Sequence, residues 1–483
     1  MTRRTRRQFL EESMLATAAA TVSAARPLFG MAETSRSANE KLGVAIVGVR
    51  GRGGSHIGAL AGRKDAEVLY LCDVDSQVLA KRRQEVEKRQ GRAPRCESDL
   101  RRVLEDPRVD VVSIATPNHL HALQAIWAMQ AGKDVYVERP VSHNVCEGRR
   151  MVEAARRYGR ICQSGLQSRS NPGMAAAMDF LAEGGIGRPR SASAFCYAQR
   201  SEIGPRGDYP IPPHIHYDLW LGPAPWEPLA RPRFHHDWNW QWAYGGGDLG
   251  NHAAQLMDLA RWALGVNSIS RSVLSYGCRF GDGDAGETAN LQVVLHDFGP
   301  QSLVFELRGP SADPTRGVRV GLTVECEDGY LVTCRGDGAA VFDRDGVKIR
   351  DFRGSGDHFA NFLKAVRSGR CADLNADIEQ GHLSSALCHL GNVSFRAGRV
   401  VEPARARDEL SCVSSVPGAE QACGRFFELL KENRIGDSAV PVRVGTQLQM
   451  DPVTETCDGN SDASAWLTRT YRAPYVVPLA GQV

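Results

Sequence analysis

The chain has 483 residues, too many for one ordinary hydrophobic core, which predicts two domains with flanking segments. Its composition, 42% hydrophobic and 24% charged, is typical of a globular protein. The formal net charge is +3, yet Arg3, Arg4, Arg6 and Arg7 all lie in the first seven residues. The rest of the chain is therefore close to neutral, which gives no support for binding nucleic acid or a membrane surface.

The N-terminus has the pattern of an export signal. Arg6 and Arg7 are followed by Gln8-Phe9-Leu10 and then by a mildly apolar stretch, rich in alanine and threonine, at residues 14–25. This pattern resembles a twin-arginine signal, whereas a disordered basic tail would explain the arginines but not the apolar stretch. We predict a signal peptide over residues 1–32, a periplasmic or otherwise exported protein, and no membrane anchor after export, because the apolar stretch is too short.

The next part of the chain alternates short apolar strands with helices. Strands are predicted at 44–47, 67–72, 111–115 and 134–137, helices at 56–61, 76–89, 122–130 and 147–157, and a further patterned stretch at 99–106. This alternation is typical of βαβ units with a parallel sheet. We predict an N-terminal Rossmann domain over residues 42–165.

From about residue 191 the pattern changes to alternating apolar and polar residues. Strands are predicted at 291–295, 302–307, 318–324 and 330–334, and helices at 256–264, 358–366, 382–390 and 419–432. These strands favour a mostly antiparallel, open sheet. The predicted fold class is thus α/β, with an α+β domain over residues 166–400 after the Rossmann domain and a C-terminal extension over 401–483. No spacing of histidines and cysteines predicts a metal site.

A glycine turn directly after the first strand predicts a dinucleotide site. Glycines there bring backbone N–H groups close to a pyrophosphate at the start of a helix. The expected contacts are Gly48, Arg50, Gly51, Arg52, Gly53 and, at the end of the second strand, Asp73. An acid at the Asp73 position binds ribose hydroxyls and repels a 2′-phosphate, which favours NAD over NADP, although Arg50 or Arg52 could meet such a phosphate. Arg50 also occupies the usual middle-glycine position.

Several segments together resemble the glucose–fructose oxidoreductase/inositol dehydrogenase (Gfo/Idh/MocA) family. They are ATPNHLH at 115–121, AGKDVYVERP at 131–140, YDLWLGP at 217–223, GGGD at 245–248, DLARW at 258–262, GDHFANF at 356–362 and HLSSA at 382–386. The resemblance covers roughly residues 42–399. It implies an NAD(P)-dependent enzyme of sugars, polyols or related compounds, whose open sheet often forms subunit interfaces, and hence a homo-oligomer.

The resemblance also assigns site residues. Further cofactor contacts are expected at Thr116, Pro117, Asn118, His121, Glu138 and Arg139. Substrate contacts are expected at Gln167, Arg169, Asn251, Gln255 and Trp238. Aromatic residues are dense between 220 and 244, and such a loop could stack on a sugar ring or could be pinned to the core by its tryptophans.

The chain departs from the family pattern at the residues that usually carry proton transfer. The family's Glu-Lys-Pro motif reads Glu138-Arg139-Pro140, and its Asp-x-x-x-His pair falls on Asn251 and Gln255. Neither arginine nor glutamine can accept a proton at neutral pH. Asp248 and His252 restore the same spacing one helical turn earlier. His252 is therefore either a replacement base or a structural or substrate-positioning residue.

The sequence predicts an exported NAD(P)-dependent oxidoreductase that acts on a sugar or sugar derivative by hydride transfer to or from nicotinamide. Arg139 would orient the substrate, and His252 with Asp248 would be the candidate acid/base. Two alternatives remain open. One is a sugar hydrolase or epimerase that uses transient oxidation with retained NAD. The other is a catalytically degenerate sugar-binding protein that keeps the dinucleotide as a structural element.

Overall fold

A computed structural model describes most of the chain. The described residues are 40–197, 202–280, 283–308, 314–334, 338–411, 416–432 and 440–483. The predicted signal peptide at 1–32 lies outside them and stays a prediction. None of the helices in the described ranges combines the length and apolarity needed to span a bilayer.

The first domain is built on a parallel sheet of six strands in the order β3-β2-β1-β4-β5-β6. The strands are β1 Leu42–Val47, β2 Ala66–Cys72, β3 Arg95–Glu97, β4 Val111–Ile114, β5 Asp134–Val137 and β6 Cys162–Ser164. Every residue of β1 and β4 is buried, as expected of central strands covered on both faces. The predicted Rossmann arrangement is confirmed.

Five helices connect these strands. They are α1 Arg52–Leu60, α2 Ser76–Gln90, α3 Leu100–Leu104, α4 Asn118–Gln130 and α5 Val145–Arg157. Local chemistry fixes several ends: the Asp75 carboxylate accepts the Gln77 and Val78 N–H groups at the start of α2, and Gly91 ends it at φ 77°. Helices α1 and α4 each begin four residues before the predicted starts at 56 and 122, so that the motif residues at 52–53 and 118–121 belong to their first turns.

The second domain contains an eleven-stranded sheet in the order β14-β13-β12-β11-β7-β10-β9-β8-β16-β15, with β17 paired to β8. Its strands are β7 Pro189–Tyr197, β8 Ser272–Cys278, β9 Leu291–Asp297, β10 Ser302–Arg308, β11 Val320–Cys326, β12 Gly329–Cys334, β13 Gly338–Asp343, β14 Lys348–Arg353, β15 Arg399–Val401, β16 Val442–Val444 and β17 Leu448–Gln449. All strand pairs are antiparallel except β7 with β10. The predicted α+β class is therefore confirmed.

The remaining described helices are α6 Pro172–Ala182, α7 Tyr217–Leu221, α8 Gly247–Asn251, α9 Ala253–Leu264, α10 His358–Ser368, α11 Ile378–Arg396, α12 Pro403–Ser411, α13 Ala419–Glu432 and α14 Ser461–Ala465. Some of them cover the two faces of this sheet. Helices α6, α9 and α11 pack on one face. On the other face, α12 and α13 bury residues of β8, β9 and β10. The sheet is thus less open than expected, because the C-terminal extension covers part of it.

Two later segments complete the core of the Rossmann domain. Phe359, Phe362 and Leu363 of α10 pack with β1 and α1 on one face of the parallel sheet. On the other face, Tyr475 and Val477 pack with α3, α4 and α5. We call residues 466–483 the C-terminal strap. The N-terminal domain predicted at 42–165 is therefore not a self-contained core, and the extension is not a separate appendage.

A buried ion cluster anchors the chain just before the strap. Glu455 accepts hydrogen bonds from Arg149 at 2.6 Å and 3.1 Å, and its two oxygens lie 2.8 Å and 2.9 Å from Nε2 of His382. Burial opposes ionisation of Glu455, but His382 and Arg149 outweigh it and lower the pKa of Glu455 to about 2. The cluster joins α5 and α11 to the C-terminal segment.

We predict that Glu455→Gln lowers the free energy of unfolding by about 2 kcal/mol at neutral pH, since the amide loses charge-assisted hydrogen bonds. Because the folded-state pKa is depressed, this contribution is full above the ordinary value of 4.5 and is lost as pH falls towards about 2. Urea unfolding of both proteins over this pH range measures the difference. Glu379→Gln is the control, because Glu379 binds the same Arg149 with a side chain 37% exposed and should change stability by less than about 1 kcal/mol. Equal effects of the two variants would contradict the prediction.

Candidate functional site

The carboxyl ends of the parallel strands open into a cleft between the two domains. Residues after β1, β2, β4 and β5 line it from the first domain, as expected at the carboxyl edge of a parallel sheet. The predicted site residues that line it are Gly48, Arg50, Gly51, Arg52, Asp73, Thr116, Pro117, Asn118, His121, Glu138, Arg139, Trp238, Asn251 and His252. The structure thus brings together most of the residues selected from the sequence.

Steric limits shape the glycine turn at Gly48 and Gly53 but not at Gly51. Gly48 has φ +76°, and a Cβ there would lie 2.7 Å from the Thr116 nitrogen. A Cβ on Gly53 would lie 1.9 Å from the Gly48 carbonyl oxygen. A Cβ on Gly51, in contrast, would meet nothing within 4 Å. Gly48 and Gly53 are therefore required by the protein itself, whereas Gly51 leaves open space at the start of α1.

The two arginines of the turn have different positions. Nε of Arg52 donates to Oε1 of Glu138 at 2.7 Å, so Arg52 points along the cleft towards the end of β5. This direction takes it away from Asp73, where a 2′-phosphate would lie. Arg50 is exposed at the edge of the cleft, and its carbonyl accepts a hydrogen bond from Arg82. Arg82 also donates to the Val49 carbonyl and thereby holds the turn from α2.

Asp73 faces the cleft from the end of β2. Its Oδ2 accepts the Val49 N–H at 2.8 Å, and its Oδ1 accepts the Asp75 N–H at 3.0 Å. Burial raises the pKa of Asp73, although these backbone N–H groups favour the charged form. A carboxylate offers about four acceptor positions, so Asp73 retains capacity to accept hydrogen bonds from ribose hydroxyls.

The turn after β4 contains a buried polar atom without a protein partner. Asn118 is only 3% exposed and lines the cleft, and its Oδ1 has no hydrogen-bond donor in the described structure. His121 lies with its two ring nitrogens 2.7 Å and 2.8 Å from the carbonyls of Pro140 and Thr116. Burial lowers the pKa of His121, and its contacts show a positioning role for the loops after β4 and β5.

Several polar side chains of the site bind Glu138. Its Oε1 accepts from Arg52 and, at 2.9 Å, from Nε2 of Gln167, and it lies 3.2 Å from Nε2 of the buried His56. Burial opposes ionisation, but His56, Arg52 and Arg139 outweigh it and hold the pKa of Glu138 well below its usual value. Glu138 is therefore a permanent carboxylate that organises the cleft rather than a proton donor.

Arg139 is held by a glutamine of the second domain. Its Nε donates to Oε1 of Gln255 at 3.1 Å, and Gln255 in turn donates to the Ser168 hydroxyl. Gln255 does not line the cleft, so the expected substrate contact is replaced by a contact that orients Arg139. Burial lowers the pKa of Arg139, and the adjacent Glu138 carboxylate opposes this effect.

Asp248 and His252 form the pair that their spacing predicts. Nδ1 of His252 lies 2.9 Å from Oδ1 of Asp248, at the junction of α8 and α9. Asp248 is 1% exposed, whereas the His252 side chain is 44% exposed and lines the cleft opposite Arg139. A histidine held at Nδ1 by a buried carboxylate keeps Nε2 available for proton exchange.

The other expected substrate residues have structural contacts. Gln167 donates to Glu138 and to the Tyr136 hydroxyl behind the cleft wall. Arg169 is bound to Asp258 at 2.8 Å and stacks on Trp262, with no place in the cleft lining. The expected contact of Arg169 with substrate thus conflicts with its position, because its guanidinium is bound to the buried carboxylate of Asp258.

The aromatic loop is mainly part of the core. Tyr217, Trp220, Phe234 and Tyr244 form one buried cluster, and Arg231 packs against three of these rings. Only Trp220 and Trp238 of the loop's tryptophans reach the cleft. Two histidines accompany them: His235, whose Nε2 lies 2.9 Å from Asp75, and His236.

Some lining residues carry no signal in the local sequence. Ser98, Asp99 and Leu100 follow the short strand β3, and Trp127 lies in the middle of α4. Tyr475, from the C-terminal strap, also lines the cleft. Recognition of β3 in the sequence would have identified Ser98, Asp99 and Leu100 as candidate site residues. No motif near Tyr475 indicates that it lines the cleft.

Comparison with known families assigns both domains. Residues 42–166 match the profile of the oxidoreductase family GFO_IDH_MocA, described as an NAD-binding Rossmann fold. Residues 195–295 match the profile of the same family's C-terminal alpha/beta domain.

Curated relatives match over limited stretches. A levoglucosan dehydrogenase of Pseudarthrobacter phenanthrenivorans is 33% identical over 179 residues, which are 37% of this chain and 39% of the relative. The scyllo-inositol 2-dehydrogenase (NAD(+)) of Bacillus subtilis is 38% identical over 87 residues, 18% of this chain and 25% of the relative. The chain thus spans less than half the length of these relatives.

Solved structures share the fold over a larger part of the chain. The WlbA dehydrogenase of Bordetella pertussis, in complex with NADH and UDP-GlcNAcA, has a TM-score of 0.54 and 20% identity, covering 73% of this chain and 97% of that one. A levoglucosan dehydrogenase in complex with NADH and levoglucosan has a TM-score of 0.55 and 20% identity, with coverage of 73% and 97%. At such identity the likeness establishes the fold alone.

The cleft fits the dinucleotide that the Rossmann profile implies. The open space at Gly51 suits the pyrophosphate, the free acceptor positions of Asp73 suit a ribose, and the unpartnered Oδ1 of Asn118 suits a ligand donor. The direction of Arg52 and the presence of Asp73 agree with NAD as the cofactor. In the described part of the chain, no group of acidic, histidine or cysteine side chains is arranged to hold a metal ion.

We predict that Gly51→Ala and Gly53→Ala separate cofactor binding from folding. The Gly51 substitution meets no protein atom, so the free energy of unfolding should change by less than about 1 kcal/mol, while a methyl group in the pyrophosphate position weakens NAD binding about tenfold or more. The Gly53 substitution should lower stability by about 1–3 kcal/mol through overpacking. Calorimetric titration and thermal unfolding measure the two effects. Unchanged NAD affinity in Gly51→Ala would place the pyrophosphate elsewhere.

Proposed function

We propose that this chain is a member of the Gfo/Idh/MocA oxidoreductase family and an NAD-dependent oxidoreductase of a sugar or sugar derivative, because residues 42–166 and 195–295 match that family's two domain models. One observation carries the proposal. The cleft that fits the dinucleotide ends between Glu138-Arg139 of the first domain and Asn251-His252 of the second, where a substrate can meet both an oriented cation and a titratable histidine.

Bound NAD supplies the hydride acceptor or donor in such chemistry. The chain's own residues supply binding and proton transfer. Arg139, oriented by Gln255, presents N–H donors to a substrate oxygen but cannot take its proton. His252 exchanges the proton at Nε2, and Asp248 fixes the orientation of the ring through Nδ1. The proton function is thereby transferred from the family's usual lysine and histidine positions to the Asp248–His252 pair.

The substrate class is supported by the relatives, among which are levoglucosan and inositol dehydrogenases. Within the cleft, Trp238 offers an apolar face and Asn251 offers hydrogen-bonding groups, the combination that sugar rings require. The homo-oligomer implied by the family resemblance also stays a proposal, which light scattering of the purified protein tests.

We predict that His252→Ala lowers kcat/KM for the best sugar substrate about 100-fold or more, because general acid–base catalysis contributes that much. NAD affinity should stay within about twofold, since the pair lies at the far end of the cleft from Asp73. Asp248→Asn should give a smaller loss. His216→Ala is the matched control, because His216 is exposed and does not line the cleft.

The measurement is the nicotinamide absorbance after addition of sugars and 3-keto sugars to the NAD-loaded protein. Undiminished turnover in His252→Ala would remove the replacement base from the mechanism. Reduction and reoxidation of the nicotinamide within one turnover, without net change, would identify transient oxidation with retained NAD. Tight sugar binding without any nicotinamide signal would favour the degenerate binding protein.

Export through the twin-arginine pathway is part of the proposed function, supported by the pattern at residues 1–32. We predict that replacing both Arg6 and Arg7 with lysine keeps the protein in the cytoplasm of a bacterium that has this pathway. Replacing Arg3 and Arg4 with lysine is the control and should leave export intact. Cell fractionation with mass spectrometry of the mature N-terminus measures both location and cleavage. Export that survives loss of Arg6 and Arg7 would exclude the pathway.

A further inference from the structure

We propose that the C-terminal strap walls the adenosine half of the dinucleotide cleft through Tyr475 and thereby slows release of the bound dinucleotide. The inference rests on the proposed NAD-dependent function, and it adds a binding element from outside the two domains that the family profiles match. Its ligand is the adenine end of the dinucleotide.

The strap crosses from the second domain to the first. The Leu467 carbonyl accepts the N–H of Cys146 in α5, and Nη1 of Arg469 donates to the Ala243 carbonyl at 3.1 Å. Farther along, Arg472 donates to the carbonyls of Gly222 and Ala224 and to the Asp218 carboxylate. The strap is therefore attached to both domains before it reaches Tyr475.

Tyr475 stands at the adenosine end of the cleft. Asp73, whose equivalent in Rossmann folds binds the adenosine ribose, lies beside β3, because its N–H donates to the Glu97 carbonyl. Tyr475 packs in one cluster with Leu100, which follows β3, and with Trp127, and these residues also line the cleft. The Tyr475 ring is 6.2 Å from the Trp127 ring, centroid to centroid, and is 5% exposed. Flat aromatic and aliphatic walls of this kind suit an adenine ring.

Hydrogen bonding holds Tyr475 in this wall. Its hydroxyl donates to Oδ2 of Asp218 at 2.8 Å, and the guanidinium of Arg472 lies 4.8 Å from its ring centroid. Burial and the Asp218 carboxylate raise the pKa of Tyr475 to about 12, so the hydroxyl stays a donor at neutral pH. Beyond Tyr475, Val477 and Val483 are each 2% exposed against the Rossmann core.

Release of adenosine past this wall requires the strap to move. Such movement breaks the Tyr475–Asp218 hydrogen bond and the contacts of Arg472, and it exposes the buried Val477. The strap thus raises the barrier to dissociation of the dinucleotide more than it adds contacts to it. We therefore expect the strap to change mainly the dissociation rate.

The test is the dissociation rate of NADH from the full-length protein, followed by loss of energy transfer from tryptophan to NADH after addition of excess NAD+. Tyr475→Ala should speed release at least about tenfold. Val476→Ala is the control, because Val476 is the next residue and is 48% exposed, and release should stay within about twofold. Reduced nicotinamide mononucleotide, which lacks adenosine, should bind Tyr475→Ala as it binds the original protein.

If Tyr475→Ala fails to fold, Tyr475→Phe and Asp218→Ala remove the same hydrogen bond and should each speed NADH release severalfold. The strap proposal would be overturned if folded Tyr475→Ala released NADH at the original rate. The same holds if both variants that lack the Tyr475–Asp218 hydrogen bond released it at that rate. Absence of NADH binding to the original protein would instead overturn the proposed NAD-dependent function. Equal acceleration for the mononucleotide would also contradict the strap proposal, because it would show a general loosening of the cleft.

Discussion

The buried carboxylate of Glu138 is the contact on which the rest of the site depends. It lies at the end of β5 and binds Arg52 at the start of α1, His56 inside that helix and Gln167 at the entry to the second domain. A charge removed from water is costly unless several groups compensate it, and here three side chains share that role. The same carboxylate explains the glycine at 165, where a Cβ would lie 2.7 Å from Oε2.

Arg139, next to Glu138, shows how one substitution changes the roles of other residues in a site. An arginine beside Glu138 remains charged, so it can orient an oxygen but cannot relay a proton. Gln255 complements it, since an amide can accept the Arg139 N–H while donating to Ser168. Arg139 and Gln255 thus form an orienting unit, and His252, held by Asp248, is a titratable residue that lines the cleft beside Asn251.

The C-terminal segment changes the picture of two independent domains. The Glu455 cluster ties it to α5 and α11, α12 and α13 cover part of the large sheet, and the strap ends within the Rossmann core. A domain interface closed by several buried contacts restricts relative motion of the two halves. The proposed export would separate the protein from the cytoplasmic dinucleotide supply, and the proposed role of the strap would be a physical means of retaining the cofactor.

The sequence by itself determined the features that depend on neighbouring residues. Alternation of apolar strands and helices identified the Rossmann sheet, the glycines at 48 and 53 marked its turn, and the four-residue spacing paired Asp248 with His252. Each follows from local geometry, in which periodicity and steric limits act within a few residues. The short strand β3 escaped because three residues carry too little pattern.

Only the tertiary structure decided the contacts made across long separations. Arg139 and Gln255 are 116 residues apart, and Arg169 meets Asp258 across 89 residues, so no spacing could show that one glutamine orients an arginine or that the other arginine is captured. Tyr475 reaches the cleft because the strap crosses both domains. Such pairings are set by how whole elements pack their apolar faces, a property of the complete chain rather than of any segment.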